Sequence, residues 1–385
     1  MLLDISFDIK NLVCLYLNDL KDIINLYNLN KDHQNNIIVT NLYDIPKKYL
    51  NKLSQQIIEQ NKYKNAEKLY AFDNKKIENV NHMKKTLKIL HCGGYNSGID
   101  QNGIAELNLI ALNVDDNKEI KNVNHMKNTL KILNCGWDCG IDQNGISQLN
   151  LIELNASWNE KIKNVNHMRK TLQNLNYSGS NGINQKGISE LNLVELCAFN
   201  NIKINNVNQM KKTLKILNCG YNTGIDQNGI LELNLIELYA CDSKQIKNVN
   251  HMKETLKILD CRGDCGIDQN GISELNLIKL YTNNNDKIKN VNHMNKTLKI
   301  LDCSCCWYYD YRNGTGRNGI NQNGISELNL IELYAYDNKE IKNVNHMRET
   351  LKILDCGGHS GIDQNGIFEL NLIELNAAGN EKIKM

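Results

Sequence analysis

The chain has 385 residues, with 45 basic and 43 acidic side chains that leave a formal charge of +2, together with one proline and thirteen cysteines. Charges that nearly cancel give no basic stripe of the kind a nucleic-acid surface needs, and no apolar run is long enough to span a bilayer. The opening MLLDISFDIK carries acids and lacks the basic-then-apolar order of a secretion signal, so the cysteines read as reduced thiols in a cytoplasmic or nuclear compartment.

In chain order, residues 1–45 come first. Ile9, Leu12, Val13, Tyr16 and Leu17 share one helical stripe, Asp19-Leu20 interrupts it, and Ile23, Leu26 and Leu29 form a second. The spacing predicts a helical hairpin with apolar faces. In this order, and with Asn30-Lys31 at the end, the segment resembles an F-box. That resemblance implies that Ile9, Val13, Leu17, Leu20, Ile23 and Leu26 dock on the Skp-type adaptor of cullin–RING ubiquitin ligases. The patterning equally allows a helical cap that shields the first unit of a repeat array. Residues 46–65 read as a linker or cap helix with Leu50, Leu53, Ile57 and Ile58 inward.

Residues 66–385 repeat. Val80-Asn81-His82-Met83 recurs at Val123, Val165, Val207 (with Gln209 for the histidine), Val249, Val291 and Val344, mostly at steps of 42. Each period splits into two half-units that share a Leu-x-x-Leu-x-(Ala/Cys/Val) core. Their central leucines run from Leu69 to Leu375, about 15 units of 21 residues. A fixed period of this size marks a stacked array. The leucines alternate inward with period two, as in a strand, and no unit can bury its apolar face alone. The spacing resembles the leucine-rich repeat, and the half-unit with Cys and then GIDQNGISELN resembles its cysteine-containing subtype. The resemblance implies an α/β solenoid: a leucine-rich-repeat horseshoe with a parallel sheet on the concave face, short helices or 3-10 turns on the convex face, and a helical N-terminal segment. In the return segments, Asp142, Asp226, Asp268 and Asn321 are expected to cap a short helix, and NVNHMKKT to form a 3-10 turn. Asn74, Asn96, Asn117, Asn159, Asn222, Asn338 and Asn380 follow the strands and are expected to form an amide ladder. Where the chain stops, at Lys384-Met385, an uncapped last unit is expected to fray or self-associate.

Cys92, Cys135, Cys219, Cys261, Cys303 and Cys356 fall in the inward column. Equivalent copies sit two strands, about 10 Å, apart, too far for a disulfide or a shared zinc. They read as packed thiols, with Cys303, Cys305 and Cys306 the nearest approach to a metal cluster. His82, His125, His167, His251, His293 and His346 form a comparable column on the convex side and read as local hydrogen-bonding groups. Every nucleophile–base candidate is a copied position, so the reading is no enzyme, no catalytic residue, no cofactor and no metal.

Binding is better read from positions that vary between copies. Tyr239, Tyr281 and Tyr334, with Tyr336 just beyond, fall on the concave face. An 11-residue excess lies within 304–318 and carries Trp307, Tyr308, Tyr309, Tyr311 and Arg312. Trp, Tyr and Arg are the residue types enriched at binding hot spots, and inserted loops carry specificity. The expectation is a protein target held by the concave face and the insertion, with no nucleic acid and no membrane. The Asn/Lys/Ile bias, the F-box-like start and the near-identical copies together resemble F-box/leucine-rich-repeat proteins of mimivirus-like giant viruses. That resemblance implies a substrate receptor of a ubiquitin ligase; the alternative is a stand-alone binding scaffold with a capping N-terminus.

Overall fold

The computed structural model describes residues 39–43, 52–179, 182–305 and 319–384. The helical hairpin expected at 9–29 and the insertion residues 306–318 lie outside them. The chain divides into two compact units, one of Met1–Tyr177 with Asn181–Leu191 and one of Ser178–Ser180 with Asn192–Met385.

In unit 1 the described strands are β1 (Asn41–Leu42), β2 (Lys68–Tyr70), β3 (Ile89–His91), β4 (Ala111–Asn113), β5 (Ile132–Asn134), β6 (Glu153–Asn155) and β7 (Asn174–Asn176). Unit 2 holds β8 (Glu195–Cys197), β9 (Ile216–Asn218), β10 (Glu237–Tyr239), β11 (Ile258–Asp260), β12 (Lys279–Tyr281), β13 (Ile300–Asp302), β14 (Glu332–Tyr334), β15 (Ile353–Asp355) and β16 (Glu374–Asn376). Within each unit the strands pair in parallel, in chain order, leucine on leucine: Leu112 with Leu133, Leu259 with Leu280. The insertion leaves the register intact, since Leu301 pairs with Leu333.

Three-residue strands have little stability of their own. They persist because the central leucine of each is buried, Leu133 and Leu259 completely, and a buried leucine contributes about 2 kcal/mol. Val123, Met126 and Ile146 in unit 1, and Val249, Met252 and Ile272 in unit 2, close the same cores from the return side. Ala156 and Ala240 are buried at the position that Cys135 and Cys261 fill in neighbouring coils. Gly140 packs against the preceding coil so closely that a Cβ would meet the Lys118 and Ile120 carbonyl oxygens, the latter at 2.6 Å. A side chain there would displace the backbone of one coil from the next.

Four residues after most of the central leucines the chain passes through the left-handed region. Asp73, Asp116, Trp137 and Trp158 in unit 1, and Asn200, Tyr221, Asp242, Asn284 and Asp337 in unit 2, have φ between 54° and 63°. Asp and Asn tolerate this conformation; Trp and Tyr are strained in it.

Three expectations change. The fifteen units expected from Leu69 onward are preceded by a further strand, because Leu42 pairs with Leu69. The expected linker helix is, in its described part, one turn, Gln55–Ile58, followed by a 3-10 turn at Asn61–Tyr63. Leu53 and Ile58 are buried, and Gln55, like Gln101 one step on, donates to a return-segment carbonyl and accepts two backbone N–H groups. Residues 41–43 and 52–63 therefore carry the marks of a degenerate repeat whose irregular spacing hid it. Second, the QNGIS segments form 3-10 turns such as Asn144–Ile146, with Asp142 accepting from the Gly145 N–H at 2.9 Å, in place of the expected short helix.

Third, the asparagine ladder occupies alternate coils only. Asn117, Asn159, Asn285, Asn338 and Asn380 are buried, and each donates to two carbonyl oxygens of the coil before it. Asn74 donates to the Leu53 carbonyl. Asn96 and Asn222 are exposed. In their half-type the interior site is taken one position later by Cys139, Thr223 or Ser360, which accepts from the N–H two residues on.

Candidate interaction face

Each strand spends its central leucine on the core and leaves its two flanking residues on the sheet face. From β10 to β15 in unit 2 the row after the leucine reads Tyr239, Asp260, Tyr281, Asp302, Tyr334 and Asp355, one residue per strand in register. The structure thus brings the three expected tyrosines into one row, but as alternate members. Aspartates separate the rings by two strands, about 9.6 Å. Tyr336 lies two positions past Tyr334 and is exposed. Trp307, Tyr308, Tyr309, Tyr311 and Arg312 lie outside the described residues, as do Ile9, Val13, Leu17, Leu20, Ile23 and Leu26.

The carboxylates organise this row. Tyr239 Oη donates to Glu237 at 2.7 Å and Tyr334 Oη to Glu332 at 2.9 Å. Burial, and then the adjoining glutamate, pushes the Tyr334 hydroxyl up to about 12 and raises that of Tyr239 further; both remain donors at neutral pH. Arg262 makes a two-pronged bond to Asp260, at 2.9 Å through Nε and 2.6 Å through the terminal nitrogen. Asp302 accepts from the Ser304 N–H and from Asn283 at 2.7 Å, and Asp355 from the Gly357 N–H and from Asn376 at 3.1 Å. The row before the leucine adds Glu195, Glu237, Glu332 and Glu374 against Lys279. The face is therefore strongly acidic, in a chain whose net charge is +2.

Sequence reasoning missed the aspartates and several aromatic groups. In unit 1, Tyr70 packs edge-on against Tyr43 (5.5 Å between centroids) and His91 (4.6 Å), with Phe72 at 5.1 Å from His91 and Asp115 at 3.4 Å from its Nε2. Trp137 and Trp158 stack at 5.9 Å, as do Phe199 and Tyr221 in unit 2 at 5.6 Å. Trp137, Trp158 and Tyr221 occupy the left-handed column that elsewhere holds Asp, Asn or Gly. That mismatch is the signal the sequence offered.

On the return face the copied polar residues tie coils together. His125 and His167 bond the Ile104 and Ile146 carbonyl oxygens in unit 1, and His251 and His293 those of Ile230 and Ile272 in unit 2, at 3.1–3.2 Å. Desolvation lowers the pKa of His167 and His251. Asn124 donates to the Asn144 carbonyl and accepts the Gln148 N–H, and Gln143 makes the matching pair with Asn164. The described cysteines are free thiols, and burial pushes those of Cys139 and Cys265 up to about 12. Among the described residues no three metal-ligating side chains converge, and no helix is long and apolar enough to cross a membrane.

Parallel three-residue strands joined by 3-10 returns, with an inward leucine in each, define a leucine-rich-repeat solenoid in each unit. No protein-family model matches the chain, and no curated protein does. Among solved structures the chain is similar to one described as the Rad7 and Elc1 complex in yeast, at 15% identity over 98% of this chain and 92% of that one, with a TM-score of 0.43. It is similar to the functional domain of InlJ from Listeria monocytogenes, at 20% identity over 80% of this chain and 62% of that one, with a TM-score of 0.44. A leucine-rich-repeat protein of Leptospira interrogans matches at 16% identity over 88% and 87%, with a TM-score of 0.42.

Proposed function

We propose that the chain is a protein-recognition module and not an enzyme. On this reading a protein target is held by the sheet face of unit 2 together with residues 304–318. Residues ahead of the repeats dock the Skp-type adaptor of a cullin–RING ubiquitin ligase, which makes the chain an F-box-type substrate receptor. One observation carries the recognition half. The copied positions (leucines, ladder asparagines, return-face histidines and glutamines) serve packing or coil-to-coil hydrogen bonds, and the residue after each central leucine on the sheet is the one left to differ. A surface built this way suits a macromolecule rather than a small substrate.

A second reading, a stand-alone scaffold, draws support from β1. Pairing of Asn41–Leu42 with β2 adds that strand to the repeat stack, which leaves the residues ahead of it for any adaptor contact. The test is co-precipitation of the full chain with a Skp-type adaptor, beside a variant carrying Val13→Asp and Leu17→Asp. Capture by the parent and loss in the variant supports the receptor. No capture by either, with crosslinks from a target to Lys279, supports the scaffold. Crosslinks confined to the return face would reject the sheet-face site in both.

A further inference from the structure

The row Tyr281, Asp302, Tyr334, Asp355 repeats with a period of two strands, because the half-units alternate. Its carboxylates are therefore about 9.6 Å apart. A chain in β conformation returns a side chain to the same face every two residues, about 6.7 Å, and misses this step. A polyproline-II helix does so every three residues, about 9.3 Å, and matches it. Such segments dock on aromatic-lined surfaces, and here a tyrosine lies between and beside the carboxylates. The face already shows how a cation seats on it: the guanidinium of Arg262 lies two-pronged on Asp260, the preceding acid of the same row. Charge decides the partner's sign: with Arg262 spent on Asp260, Glu237, Glu332, Asp302 and Asp355 stand against one strand lysine, Lys279, across β10–β15.

We propose that this face binds an extended, polyproline-II-like basic segment of a protein partner, with Lys or Arg at every third residue, two successive cations meeting Asp302 and Asp355 and the residues between them lying on Tyr281 and Tyr334. The inference rests on the recognition reading above and adds the partner's chemistry and register.

The full chain is titrated against a labelled Lys-Pro-Pro-repeat peptide of about twelve residues by fluorescence anisotropy, at an ionic strength of about 0.15 M. Controls are a peptide of the same composition with its lysines adjacent, and a Glu-Pro-Pro repeat. The spaced basic peptide should bind at least about tenfold more tightly than the clustered one, and the acidic one should not bind. D302N with D355N keeps the backbone-accepting oxygens and should weaken binding about tenfold or more. K279E should tighten it severalfold, a gain that misfolding cannot mimic. Equal affinity for spaced and clustered lysines would overturn the register, and unchanged binding by the double variant would overturn the site. A tenfold gain on R312A would give the place to the chain's own arginine and overturn a partner there. A target that crosslinks to this face but has no basic segment would overturn this inference while leaving the recognition reading standing.

Discussion

The side-chain amide of Asn117 donates to the backbone carbonyl of Cys92 at 2.9 Å, joining one coil to the coil before it at the point where both strands end. Its second donor hydrogen goes to the Ile99 carbonyl at 3.0 Å, and its oxygen accepts the Glu119 N–H. The same oxygen accepts the Ile120 N–H at 3.3 Å, so one buried residue satisfies four backbone groups that no strand partner reaches.

Removing that amide leaves buried carbonyls unpaired. Asn117→Ala or Asn285→Ala should cost about 1–3 kcal/mol each. Asn222→Ala, at the exposed place in the other half-type, should stay within about 0.5 kcal/mol. Urea unfolding midpoints check both; equal costs at all three positions would reject an alternate-coil ladder.

Two members of the histidine column, His167 and His251, make stability depend on pH. Burial holds the pKa of His167 and His251 below the ordinary value of about 6.5. As pH falls through about 6.5 the unfolded chain takes up protons before the folded one, so stability present above that pH is lost on acidification. Gln209 occupies the same place in one copy and has no proton to gain. His167→Gln with His251→Gln should therefore flatten the loss between about pH 7.5 and 5.5, measured as denaturant midpoint against pH.

Cys139 and Cys265, pushed up to about 12 by burial, stay protonated at pH 8 and should react with maleimides only on unfolding. Ser360 and Thr223 fill the equivalent site and accept the same backbone N–H. Cys139→Ser should accordingly cost no more than about 1 kcal/mol, and a mass-resolved labelling time course in the folded state should show neither thiol modified.

Asp260 is buried on the sheet face, with Arg262 as its cation. Arg262→Met removes both guanidinium bonds while keeping the apolar stem, and should cost about 1.5–3 kcal/mol. Because Arg262 is itself half-exposed, the lower end is expected. Thermal unfolding of the pair Arg262→Met and Asp260→Asn, singly and together, separates the bond from the burial.

Most of the solenoid was legible in the chain. The leucine register from Leu69 to Leu375 set strand positions, pairing order and the inward face, because a twenty-one-residue unit with one apolar edge is stable only against its own copy. It also placed the cysteines inward and the histidines on the return side. It could not show Leu42 as a strand residue, since the spacing to Leu69 is irregular and pairing alone reveals it. Nor could it say which asparagines are ladder members: Asn117 and Asn222 look alike in the chain, and burial depends on how the next coil closes over them. The character of the face was likewise a tertiary decision. Tyr281 and Asp302 are twenty-one residues apart in sequence, and only parallel pairing at one strand spacing sets them side by side and turns two unremarkable columns into an alternating row of rings and carboxylates.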